Sequence, residues 1–155
     1  MKRILIFMLF ALPLTLSAAT FYVATTGNDN NPGTLAAPFR TLTKAIAAAS
    51  PGSIIELRGG KYTSNEIRIN KSNLTIRSYA NEWAIITAVT NVEDISSRRW
   101  YNEPETDGGT LERLEIVGGY YYGLKFESNW DWDNSVPFSK RRGTSNITVR
   151  NCIIH

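Results

Sequence analysis

The sequence is poor in the residues that staple or charge a protein. Its 155 residues hold one cysteine and one histidine, and basic residues outnumber acidic ones by only 17 to 14. A lone cysteine excludes an internal disulfide, so the fold must be held by its core. Cys152, beside Val149, Ile153 and Ile154, reads as a small buried hydrophobe. The single histidine, His155, has no visible partner and receives no catalytic role. Blocks of like charge are missing too, which argues against nucleic acid or an anionic membrane as partner. There is no apolar run of about 20 residues, so no segment reads as a comfortable membrane span.

The longest apolar run is short and lies at the start. Lys2 and Arg3 precede Ile4–Leu16, and Ser17, Ala18 and Ala19 follow as small residues. That order of charge, apolar core and small-residue ending is a secretory signal peptide, of bacterial appearance. Residues 1–19 are therefore expected to be removed and 20–155 to form the domain, exported to the periplasm or outside. Without the leader the balance is 15 basic to 14 acidic residues, so the high pI carries no functional weight.

Only one helix is convincing. Phe39, Leu42, Ile46 and Ala49 recur at the spacing of one helical face, with Pro38 just before, Thr41 as N-cap and Pro51-Gly52 as stop. Beyond Pro51 the apolar period changes to two: Ile54, Ile55 and Leu57, then Ile67 and Ile69, Leu74 and Ile76, Ile85 and Ile86. Leu114, Ile116 and Val117, Leu124 and Phe126, Ile147 and Val149, and Ile153 and Ile154 continue it. Ser72-Asn73-Leu74-Thr75-Ile76-Arg77 returns as Ser145-Asn146-Ile147-Thr148-Val149-Arg150 after 73 residues, every polar position being identical. In a solenoid one coil position recurs in this way, apolar residues stack inward, and Asn residues ladder at a turn. One helix ahead of stacked short strands is what a β-solenoid needs to cover its first coil.

Two stretches break the pattern. Val89–Gly109 is polar, and Ser128–Thr144 is polar and aromatic. Both read as insertions looping from coils, of the kind that gather on one face. Asn151-Cys152-Ile153-Ile154-His155 is strand-like with no closing helix or polar cap. The expectation is that the chain is the front of a longer protein, or a truncated copy.

Here the residues carry a family pattern. FYVATTGNDNNPGTLAAPFRTLTKAI followed by SPGSIIELRGGKY resembles the N-terminal cap and first coil of secreted right-handed parallel β-helix proteins. These belong to the pectate-lyase-like superfamily, above all the bacterial family 9 polysaccharide lyases and their uncharacterised relatives. NITVRNCIIH resembles a coil segment of the same group. The resemblance implies an all-β, right-handed parallel β-helix with an N-terminal capping helix. It also implies β-elimination on acidic plant or algal polysaccharide, in which a base takes the proton next to a uronate carboxylate. That carboxylate must be neutralised by Ca²⁺ or an Arg. In the family 9 lyases an Asp cluster holds Ca²⁺ and a Lys is the base, on central coils. No such cluster occurs in this sequence, so no catalytic residue carries over. The cofactor stays open, with Ca²⁺ the candidate for a full-length protein. A non-catalytic surface or glycan-binding β-helix shares every feature quoted, as does an inactive truncated copy.

The best candidate glycan surface lies in the second insertion. Trp130 and Trp132, with Tyr120–Tyr122, can stack on sugar rings, and Lys140, Arg141 and Arg142 can meet uronate carboxylates. The alternative is that the aromatics pack the loop onto its coil while the basic residues stay solvated. Asp131 and Asp133 lie among them. Asn28-Asp29-Asn30-Asn31-Pro32-Gly33 lacks the spacing of a calcium loop and suits tight turns. Arg77, Lys125 and Arg150 should point outward from their coils.

Overall fold

The computed structural model describes residues 18–92, 107–118, 123–126 and 144–155. Residues 1–17 of the expected 1–19 leader, and the connections 93–106, 119–122 and 127–143, lie outside the described residues. Ten strands and one short helix are present among the described residues. All strand pairings are parallel, and two sheets result, ordered β1-β2-β4-β6-β9 and β10-β7-β5-β3, with β8 also on β5. The strands are β1 Thr20–Val23, β2 Ile54–Leu57, β3 Gly60–Ile69, β4 Leu74–Ser78 and β5 Ala84–Val92. They continue with β6 Asp107–Glu112, β7 Leu114–Val117, β8 Leu124–Phe126, β9 Ser145–Arg150 and β10 Ile153–Ile154. From β2 to β7 successive strands alternate between the sheets, so the chain winds as a coil.

The coil has three sides. β3 carries an extra residue between Thr63 and Glu66 relative to β5. Its two halves therefore lie over different parts of the next coils. Ala84–Thr87 of β5 pairs with β7, while Thr90–Val92 pairs with β8. Such a bulge bends a strand and lets one long strand serve two faces.

Alternation along each strand sends one row of side chains inward. Phe21, Ile55, Ile76, Leu111 and Val149 stack through the first sheet, and Tyr62, Ile86, Ile116 and Ile154 through the second. Ile55, Ile76, Ile86 and Ile116 are almost wholly buried and form one core with Leu57, Leu74 and Leu114. Two buried hydroxyls are satisfied at the corners. Ser78 accepts the Ala84 N–H at 3.0 Å and donates to the Arg113 carbonyl, while Ser53 accepts from Ser50 N–H at 3.2 Å.

The register explains the internal repeat. Ile54 lies over Thr75, Thr75 over Thr110, and Thr110 over Thr148, so the chain advances 21, 35 and 38 residues per coil. The 73-residue lag thus spans two coils, with β6 between the matching strands. Continuing that register, the residue two places before each of these is Gly52, Asn73, Gly108 and Asn146. All four have positive φ, at 85, 58, 71 and 54°. This corner demands the left-handed region, which Gly and Asn enter most readily. At Gly108 a Cβ would also collide with the Asn73 side chain.

The helix α1 runs Leu42–Ala48, capped by Thr41, whose Oγ1 accepts the Lys44 N–H at 3.2 Å. It is shorter than the spacing suggests. Phe39 is extended and bridges Val23, and Ala49 is an extended C-cap. Both still face the core, which is why their spacing imitated a helical face. Lys71 Nζ donates to the Ala47 and Ala49 carbonyls, closing the helix C-terminus. Two further expectations are corrected. β5 extends to Val92 and β6 begins at Asp107, so the first insertion is narrower than Val89–Gly109. Cys152 is half-buried and free, with Sγ 3.6 Å from the Leu111 carbonyl.

Candidate functional site

The outward row of the first sheet is built by register alone. Tyr22 lies over Glu56, Glu56 over Arg77, Arg77 over Glu112, and Glu112 over Arg150. Neighbouring strands lie about 4.8 Å apart, so opposite charges one coil apart meet directly. Glu56 Oε1 accepts from Arg77 Nε at 2.9 Å and Nη2 at 2.6 Å. Arg150 Nη2 donates to Glu112 Oε2 at 3.0 Å. The bond to Glu56 pushes the Arg77 guanidinium up, against burial and with help from Glu112. The Arg150 bond holds Glu112 below its ordinary value. Arg77 and Arg150 do point outward, as the alternation implied. Glu56 is only 7% exposed, and its Oε2 is buried without a hydrogen-bond partner.

The corner above this row is aromatic and equally paired. Tyr22 and Tyr79 meet edge to face at 5.8 Å, and the Arg58 guanidinium lies 5.1 Å from the Tyr79 ring. Glu82 accepts the Gly59 N–H and, at 2.7 Å, Arg58 Nε. The Gly59 bond, then the Arg58 bond and charge, hold Glu82 low despite some burial.

On the second sheet Trp83, Glu115 and His155 come together. Glu115 Oε1 lies 3.0 Å from His155 Nε2, and its Oε2 accepts the Trp83 Nε1–H at 3.3 Å. Those bonds, His155 first, hold Glu115 below its ordinary value. His155 therefore has a partner that its position in the sequence gave no sign of. Trp83 remains well exposed, with its ring edge fixed, which is the form of a sugar-stacking platform. The sequence reading missed Glu56, Trp83, Glu112 and Glu115. Their partners lie 21 to 40 residues away, and only the coil register brings them together.

The residues singled out from the sequence divide differently. Trp130, Trp132, Lys140, Arg141 and Arg142, with Tyr120–Tyr122, Asp131 and Asp133, lie outside the described residues. Tyr120–Tyr122 fall in the connection 119–122 between β7 and β8, and the others in 127–143 between β8 and β9. Asp29 is a turn residue. Its Oδ1 accepts the N–H groups of Arg40 at 2.8 Å and Thr41 at 2.9 Å, and its Oδ2 the Thr41 hydroxyl at 2.8 Å. Among the described residues no group of three or more His, Cys, Asp or Glu is placed to hold a metal ion.

A family model for the Pel9A-like right-handed β-helix region matches residues 21–152. The chain belongs to that family. Its coil is therefore right-handed, and it is pectate-lyase-like in the superfamily sense. Pectate lyase PEL9 of Emericella nidulans is 40% identical over 75 residues, covering 44% of this chain and 18% of that protein. The uncharacterized protein YwoF of Bacillus subtilis is 35% identical over 78 residues, covering 46% of this chain and 17% of that one. A rhamnogalacturonan lyase has a similar structure, with a TM-score of 0.51 at 18% identity over 65% of this chain and 29% of its own. That likeness shows the shared fold. The chain spans less than a fifth of either sequence relative.

Proposed function

We propose that this protein is an exported, lyase-like β-helix acting on acidic polysaccharide by β-elimination, and that these coils are its glycan-holding end. The observation that carries the reading is the family match across residues 21–152, supported by lyase relatives. In this reading Trp130 and Trp132 stack on sugar rings, and Lys140, Arg141 and Arg142 receive uronate carboxylates. All five lie in the connection between β8 and β9. Trp83 adds a fixed aromatic platform on the second sheet. Elimination needs a base beside the uronate and a cation to neutralise its carboxylate. The described residues are assigned neither role, and they contribute binding and orientation. Lys2, Arg3 and the Ile4–Leu16 run support export, with cleavage after Ala19. No helix among the described residues is long and apolar enough to cross a membrane.

The test is to incubate the protein with polygalacturonate and with alginate, with and without Ca²⁺, and follow the ultraviolet absorbance of unsaturated uronate ends. New absorbance supports the lyase reading. Retention on the polymer without new ends assigns the chain to glycan binding alone. Replacing Trp130 and Trp132 by Ala is expected to lower that retention.

A further inference from the structure

Between the cap loop and β3 lies a cleft of about 350 Å³, outside both outer-face clusters. Exposed Arg40, Lys61, Thr25 and Thr63 line it, with buried Leu42 and Tyr62 beneath. Its volume lies within the range of small-ligand sites. Its charges differ from those on the coil. Arg58, Arg68, Arg77 and Arg150 each sit against a glutamate. Arg40 and Lys61 are both exposed and have no carboxylate partner among the described residues. Asp29 holds Arg40 through its backbone N–H, not its guanidinium. Tyr62 donates its hydroxyl to the Arg58 carbonyl at 2.7 Å, with Val23 O at 3.1 Å. Burial, then the nearby Glu82 charge, pushes its phenol up to about 12, so the floor stays neutral.

We infer that this cleft is a binding site for one anionic sugar residue, a hexuronate whose carboxylate sits between Arg40 and Lys61 and whose ring hydroxyls meet Thr25 and Thr63. A carboxylate shared by two cations gains charge-assisted hydrogen bonds, while the threonine hydroxyls both donate to and accept from sugar hydroxyls. The choice of a uronate over another anionic sugar rests on the acidic-polysaccharide reading above. The site itself rests on the cleft and its two unpaired cations.

The experiment is a titration of the ¹⁵N-labelled full chain with galacturonate, galactose and inorganic sulfate, followed by backbone amide shifts. Galacturonate is expected to move the amides of Thr25, Arg40, Lys61 and Thr63, and galactose to leave them in place. Arg40→Gln/Lys61→Gln should weaken galacturonate binding at least about tenfold with an unchanged thermal melt. Arg40→Gln and Lys61→Gln singly should each fall between the double variant and the parent. Thr63→Val should weaken galacturonate but not sulfate. Shifts confined to other residues, or an undiminished affinity in the double variant, overturn the site. An equal response to sulfate and galacturonate overturns its sugar specificity and leaves a bare anion site. The lyase reading fails separately: galacturonate held in this cleft with no unsaturated ends from polymer removes the enzyme and keeps the site.

Discussion

The outer face of the first sheet and the cap cleft carry the same kinds of side chain and use them in opposite ways. On the sheet Glu56, Arg77, Glu112 and Arg150 alternate in sign from coil to coil, and each arginine is tied to a glutamate. In the cleft Arg40 and Lys61 are exposed and have no acidic partner among the described residues. Paired charges in a regular ladder fix register and contribute to stability. Unpaired charges in a concavity add little to stability and are available to an anion. The difference follows from geometry. The sheet repeats one position every coil, so a charge always has a neighbour about 4.8 Å away. The cleft forms where a non-repeating cap loop meets the first long strand, and no coil above supplies a partner.

The comparison can be broken at several depths. The largest effect should come from beneath the ladder. Ile76→Ala leaves a cavity in the stack of Ile55 and Leu111 and should cost about 2–5 kcal/mol in urea unfolding. Next is Arg77→Met, which strands the nearly buried Glu56 carboxylate and should cost about 1–3 kcal/mol. Its counterpart Arg150→Met, at a side chain 58% exposed, should cost under about 1 kcal/mol. Equal costs at the two positions would contradict the burial gradient along the row.

Acid should act through the carboxylates that folding holds low, Asp29 beside the cap loop among them. Glu82 is held below its ordinary value of 4.5 by the Gly59 N–H and Arg58. A carboxyl lowered on folding adds stability that is complete above its unfolded value and is lost as pH falls through the folded one. Glu112 and Glu115 are lowered as well. Urea midpoints should therefore hold steady down to about pH 4.5 and fall below it, with a smaller fall in Glu82→Gln. A midpoint that rises on acidification would contradict the ladder's role. The smallest stability effect belongs to the cleft. Arg40→Gln/Lys61→Gln should shift unfolding by no more than about 0.5 kcal/mol while galacturonate affinity drops.

Much of the fold was legible because short-range patterns determine it. Alternation marked Ile54–Leu57, Leu74–Ser78 and Leu114–Val117 as strands, and the Ser-Asn-x-Thr-x-Arg repeat marked one recurring coil corner. Phe39 misled the helix boundary, since a core-facing residue in a β-bridge can fall on a helical period. β6 was hidden by Asp107-Gly108-Gly109, which reads as loop yet supplies the left-handed corner that the coil needs. The site was less legible. Glu56–Arg77 and Glu115–His155 depend on coil lengths that vary between 21 and 38 residues, so no fixed spacing reveals them. Arg40 and Lys61 belong to different elements, and only folding brings them to one cleft.

The most direct test of the acidic-glycan account is electrophoresis of the intact chain through gels containing polygalacturonate or a neutral galactan. The account expects retardation by the acidic polymer alone, and loss of that retardation as salt screens the cationic contacts. Equal mobility in both gels at low salt would contradict it.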